Sequence, residues 1–136
     1  MLGKKVGEER GKVIGTRILT GGDFRYVKME VSFQAAGKML GRDITNTGTY
    51  VVYERVPGQL YGEGQGIIMT ADGESAIWNG HGVGKATGKG MGVTIRFSIA
   101  VQAGAGKLAP LNSVLIIGEH EADENGDVHT QTWEWK

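Results

Sequence analysis

Apolar residues recur at every second position along most of this chain. In "VKMEVSFQA", residues 27–35, Val27, Met29, Val31 and Phe33 fall on one face, with Lys28, Glu30, Ser32 and Gln34 opposite. "VTIRFSIAVQ", residues 93–102, repeats the pattern with Val93, Ile95, Phe97, Ile99 and Val101. Alternation carried by β-branched and aromatic residues marks a strand half-buried in an antiparallel sheet. No stretch shows a convincing 3.6-residue period. At most a short helical turn fits the two longer connections, 36–43 and 104–112.

Turn signals divide the chain. Pro57-Gly58 suits the central positions of a type II turn. Asp72-Gly73 and Asn125-Gly126 are strong hairpin dipeptides. "KATGKGMG" reads as a looser glycine hairpin, and "LTGGDF" joins the first strand to the second. Eight strands are predicted, at about 8–19, 24–35, 44–56, 59–70, 74–84, 91–103, 113–121 and 128–135. Short loops make consecutive strands antiparallel neighbours. The expected fold is all-β: one domain over 1–136, an eight-stranded antiparallel up-and-down, calycin-like β-barrel, because closure removes the edges. A two-sheet sandwich is the competing architecture.

"YGEGQG" (61–66) and "NGHGVG" (79–84) put glycine at every second position of two consecutive strands. If "TADGE" forms a three-residue loop with Gly73 left-handed, Thr70 opposes Glu74. Gly64 then meets Gly80, Gly62 meets Gly82, and Gly66 faces Trp78. Glycine in a strand costs roughly 0.5–1 kcal/mol relative to alanine, so some geometry must offset six of them. Three uses fit: sharp coiling for barrel closure, a bare bed for the Trp78 ring, or close approach of a subunit or ligand. The opposite face carries Tyr61, Glu63, Gln65, Ile67 and Met69, then Ile77, Asn79, His81 and Val83. Facing outward, these form a solvated patch. Facing inward, they form a polar group in an apolar lumen, as small-molecule pockets are built.

Composition narrows the function classes. Glycine numbers 24 and proline two, but the glycines interleave with large apolar residues, so they are structural rather than a mark of disorder. Lys plus Arg equals Asp plus Glu at 15 each. Zero net charge argues against nucleic acid or an anionic membrane as partner. It also removes a barrier to self-association. The absence of cysteine excludes disulfides, thiolate nucleophiles and Cys-ligated zinc. With neither a signal-peptide pattern nor a spanning segment, a soluble cytoplasmic protein is expected.

No strong catalytic or cofactor motif stands out, so no cofactor is expected. "GVGKATGKG" fails the phosphate-loop spacing, with Gly90 where Ser or Thr should follow Lys89. His120 and His129 are expected near each other at a solvated hairpin end, with Glu119 and Glu121 pointing away from His120, so no metal site is expected. Glu63 and His81 are a possible acid–base pair, but no nucleophile stands near them. Trp133 and Trp135 share a face at the C-terminus, either plugging the barrel end, packing on the first strand, or offered to a partner. "SVLIIGEH" is apolar on both faces near Val114 to Ile117, which asks for cover and points to a homo-oligomer.

The run "YGEGQGIIMTADGESAIWNGHGVGKATGKG" with the ending "TWEWK" resembles a family of small, functionally uncharacterised prokaryotic β-barrel proteins similar to calycin-type and allene-oxide-cyclase-like barrels. The resemblance spans roughly residues 50–136 and rests on glycine-rich hairpins. It implies an eight-stranded antiparallel barrel, often oligomeric, and carries no activity with it. Barrels of that kind bind or cyclise apolar molecules, which by analogy of fold points to the lumen.

The leading expectation is a small apolar or amphipathic ligand bound in the lumen. Glu63, Gln65, Asn79 and His81 are the candidate polar contacts, and Tyr61, Met69 and Phe97 the candidate walls. A cyclase or isomerase using Glu63 or His81 is the first alternative, and a non-catalytic oligomeric interaction protein the second. Whether any reaction is catalysed stays open.

Overall fold

The computed structural model describes residues 2–20 and 25–136. Eight strands alternate direction along the chain: β1 Leu2–Leu19, β2 Lys28–Met39, β3 Arg42–Val56, β4 Gln59–Thr70, β5 Ser75–Ala86, β6 Val93–Ala103, β7 Ile116–Ala122 and β8 Asp127–Trp135. Each pairs with its sequence neighbours, and β1 pairs antiparallel with β8 to close the barrel. The predicted "LTGGDF" turn and the predicted start of the second strand at residue 24 fall partly outside the described residues. No helix among the described residues is long and apolar enough to cross a membrane.

The alternation sorts side chains to the two sides of one wall. Phe33, Ile44, Ile68, Trp78, Ile95, Ile99 and Val101 point inward and are buried. The hairpin register follows from the turn. Gly73 adopts φ +93°, its N–H donates to Thr70 O at 3.1 Å, and the Thr70 N–H donates to Glu74 O at 2.9 Å. Gly62 therefore pairs with Gly82, Glu63 with His81, Gly64 with Gly80, Gln65 with Asn79 and Gly66 with Trp78, as the loop length predicts. Gly58 sits at φ +80°, as a type II turn needs after Pro57.

Two features depart from the sequence reading. The connection expected over 36–43 is a two-residue turn, with Met39 paired to Arg42. Leu40 and Gly41 both take positive φ, 51° and 75°, as a type I′ turn requires. The Leu40 N–H donates to Val6 O at 2.9 Å, which helps hold a leucine in that unfavourable region. Second, β1 begins at Leu2, and its pairing with β8 shifts register between Lys5 and Gly7. Val6 and Glu9 are consequently both buried although three residues apart. The β6–β7 connection carries a short helical turn of the kind its length allowed, a 3-10 turn at Ala109–Ser113. It packs against β6, and Leu108 and Leu111 join Ile44, Ile68 and Ile116 in the core. The Asn112 side chain brackets Ala103, accepting from its N–H at 2.7 Å and donating to its carbonyl at 2.9 Å.

Candidate functional site

The glycine face of the β4–β5 hairpin is the inner face. A Cβ on Gly66 would lie 2.5 Å from Trp78 Nε1, and one on Gly48 2.6 Å from Trp78 Cζ2. The indole thus crosses two bare strands, β4 and β3, and its Nε1–H donates to Asn46 Oδ1 at 2.8 Å. An indole nitrogen only donates, so this contact fixes the Asn46 amide. Asn46 Nδ2 then donates to Glu9 Oε1 at 2.8 Å. A chain of hydrogen bonds runs from β5 through β3 to β1 across the lumen.

A second polar line follows the wall. Glu9 on β1 pairs with Thr130 on β8, and Thr130 pairs with His120 on β7. His120 Nδ1 and Thr130 Oγ1 are 2.8 Å apart, and His120 Nε2 is buried without a hydrogen-bond partner among the described residues. The rings of Phe33 and Tyr50 lie 5.5 and 5.6 Å from the imidazole. Burial pulls the His120 pKa down to about 4, so the ring is neutral near pH 7. Burial also pushes the Tyr50 phenol up to about 12. It raises the Glu9 carboxyl above the usual carboxylate value, against a smaller opposing effect of the Asn46 hydrogen bond.

These groups border a cavity of about 80 Å³ lined by Glu9, Phe33, Tyr50, Trp78, Phe97 and His120, by aliphatic side chains, and by the glycines of β4 and β5. Among the described residues no Lys or Arg lines it. It is smaller than the roughly 150 Å³ of a benzene-sized cavity, yet exceeds what a single water needs. A carboxyl and a neutral imidazole in an apolar chamber can receive and give hydrogen bonds where water competes little.

Most of the expected site residues lie elsewhere. Glu63, Gln65, Met69, Asn79 and His81 are exposed, and Tyr61 is half-buried on the same outer face. Of the expected set only Phe97 projects inward, where its ring lies over Gly118. The expectation that the other six side chains point into the lumen is corrected by the direction of the glycines: the side without side chains faces in, although Glu63 and His81 still border the cavity. Glu63 and His81 are cross-strand partners, but Tyr61 links them. Its hydroxyl donates to Glu63 Oε1 at 2.9 Å and lies 3.4 Å from His81 Nδ1. Tyr26, Tyr53, Tyr61 and His81 form a ladder of rings on this outer face, with Lys28 over Tyr53 and Arg55 over Tyr61.

His120 does not sit at a solvated hairpin end as expected. His129 points to the other side of the wall, with Nε2 2.6 Å from Glu8 Oε2. Trp133 and Trp135 do not plug the barrel; Trp135 is 55% exposed, and Trp133 lines an outer concavity with Leu2 and Ile117. Glu9, Asn46, Tyr50, His120 and Thr130 are the lumen residues that sequence reasoning missed. One signal was present. Gly7, Glu9 and Gly11 repeat the alternation of the glycine hairpins, so Glu9 shares the glycine face. No group of three or more His, Asp or Glu side chains among the described residues is placed to hold a metal ion.

No family model and no curated protein matches the chain. Solved structures do. A conserved protein of unknown function from Rhodopseudomonas palustris superposes with TM-score 0.80 at 15% identity, over 98% of this chain and 97% of its own. A protein of unknown function from Clostridium acetobutylicum gives 0.80 at 10% identity, over 98% of each chain. A β-barrel-like protein from Acinetobacter baumannii gives 0.81 at 9% identity, over 100% of this chain and 96% of its own. At these identities the likeness is one of fold alone: the chain superposes on two proteins of unknown function and on one described as β-barrel-like.

Proposed function

We propose that the barrel binds a small, largely apolar molecule in its lumen, with the polar end at Glu9 and His120. The observation that supports this most is His120 Nε2, a buried polar atom beside an apolar cavity with no partner among the described residues. Such an atom costs on the order of 1–3 kcal/mol until something bonds to it. Aromatic and aliphatic walls with few convergent polar groups are the usual make-up of a small-molecule pocket. The test is protein-observed NMR with small amphipathic molecules. Shifts centred on Phe33, Ile68, Ile99 and His120, abolished by the cavity-filling variant Ile99→Trp, support the reading. Shifts centred on Tyr61 and His81, or binding unchanged in Ile99→Trp, overturn it.

The outer face of β4 and β5 favours a second, compatible reading, self-association. Ile67, Met69 and Ile77 are each about half exposed on one side of the hairpin, on a chain without net charge. Sedimentation at micromolar concentration checks it. A dimer or larger species is expected, weakened by Ile67→Lys; a monomer removes the reading.

A further inference from the structure

Among the described residues, Glu9 is the one carboxyl side chain buried in the lumen. A carboxylate offers about four acceptor sites. Asn46 Nδ2 fills one of them. No cation among the described residues forms an ion pair with Glu9, whereas its neighbour Glu8, on the outside, meets Lys5, Arg10 and His129. A buried acid of this kind is stable only as the neutral form or opposite a positive charge. The walls around it suit the second. Phe33, Tyr50, Trp78 and Phe97 line the same chamber, and aromatic faces attract cations, most strongly where water is excluded. His120, held neutral by burial, adds no repulsion. An anionic head group would meet the Glu9 carboxyl, with no Lys or Arg among the described residues lining the cavity to receive it.

Building on the lumen reading above, we infer that the chamber is a site for a small primary or methylated ammonium group, with the Glu9 carboxylate as its counter-ion and the surrounding rings as its cage. The cavity admits the head and its first carbons, so a short alkylammonium, or the amine end of a longer amphipathic molecule, is the chemical class it takes.

Three three-carbon probes of different charge separate the possibilities: propylammonium, propanol and propionate, titrated against the intact protein by NMR. Propylammonium is expected to bind about tenfold or more tighter than propanol, as a charge-assisted contact within an aromatic cage implies. Propionate is expected to bind weakest. Glu9→Gln keeps the acceptor for Asn46 and removes the charge, so the two affinities should converge to within about twofold while the spectrum stays folded. Phe33→Leu should weaken the ammonium more than the alcohol. Propanol bound in the lumen as tightly as propylammonium, or an ammonium affinity indifferent to Glu9→Gln, overturns the ammonium assignment and leaves the lumen reading standing. If none of the three perturbs lumen residues, both fall.

Discussion

Glu8 and Glu9 are adjacent in the chain and on opposite sides of the barrel wall. Glu8 faces out. Hydrogen bonds from Lys5 and His129 hold its carboxyl down at about 2. Glu9 faces in, where burial moves its carboxyl the other way. Two of the tryptophans show the same contrast. Trp78 is buried, its indole laid across Gly66 and Gly48, whereas Trp135 is more than half exposed at the end of β8. Residue type does not set these environments. The side of the wall does, and the glycines together with the β1 irregularity decide which side each residue takes.

Truncation should separate the sides most sharply. Trp78→Ala removes the ring bedded on β3 and β4 and leaves Asn46 Oδ1 without its donor, for an expected loss of about 3–5 kcal/mol in denaturant unfolding. Trp135→Ala is expected to cost under about 1 kcal/mol. Similar losses for both would erase the distinction.

Acid should act through His120 almost as strongly. Its folded pKa of about 4 lies below the unfolded value of 6.5, so the unfolded chain takes up the proton first. Stability is therefore full above pH 6.5 and falls as the pH drops toward 4, by about 3 kcal/mol in all. Equilibrium unfolding of wild type and His120→Leu across that window checks it, since the variant should lack this slope. Glu8 adds a loss of its own only at lower pH, as the pH falls from 4.5 through about 2.

Filling the inner face comes next. A Cβ at Gly66 meets both the Trp78 ring and the Thr47 carbonyl, so Gly66→Ala should cost about 1–3 kcal/mol. On the outer face at the neighbouring position, Gln65→Ala should stay within about 0.5 kcal/mol. The smallest effect is a difference of sign. Glu9→Gln removes a buried acid whose raised pKa makes the fold weaker as the pH rises above 4.5, so this variant should be more stable than wild type at neutral pH. Glu8→Gln loses ion pairs and should be slightly less stable. Thermal melts at pH 7 read both shifts.

The fold was legible because its signals are local. Period-two runs such as 93–102 set the strands, and the "TADGE" loop set the β4–β5 register to the residue. The site was largely illegible because its members depend on which face turns inward, and alternation alone is symmetric between faces. Tyr61, Glu63, Asn79 and His81 looked like a pocket because they are the residues with side chains on a glycine-rich hairpin. Coiling strands tightly round a small lumen instead puts the empty face inside, where Trp78 and Phe97 reach over it. Glu9 was hidden in the charged run "GEERGK", where a register shift between Lys5 and Gly7 breaks the count from Val6. His120 was hidden between Glu119 and Glu121, which are on the outer side of the same strand. The tight Leu40–Gly41 turn lacked the Asn-Gly or Asp-Gly pair that announces such turns.

Imidazole titration by nitrogen NMR bears most directly on the picture of a glycine-faced wall around a chamber in which the His120 imidazole is buried and its Nε2 has no partner among the described residues. The His120 ring should stay neutral until the pH nears 4, while the barrel remains folded. A His120 ring that gains its proton near pH 6.5, as a solvated imidazole does, would contradict it.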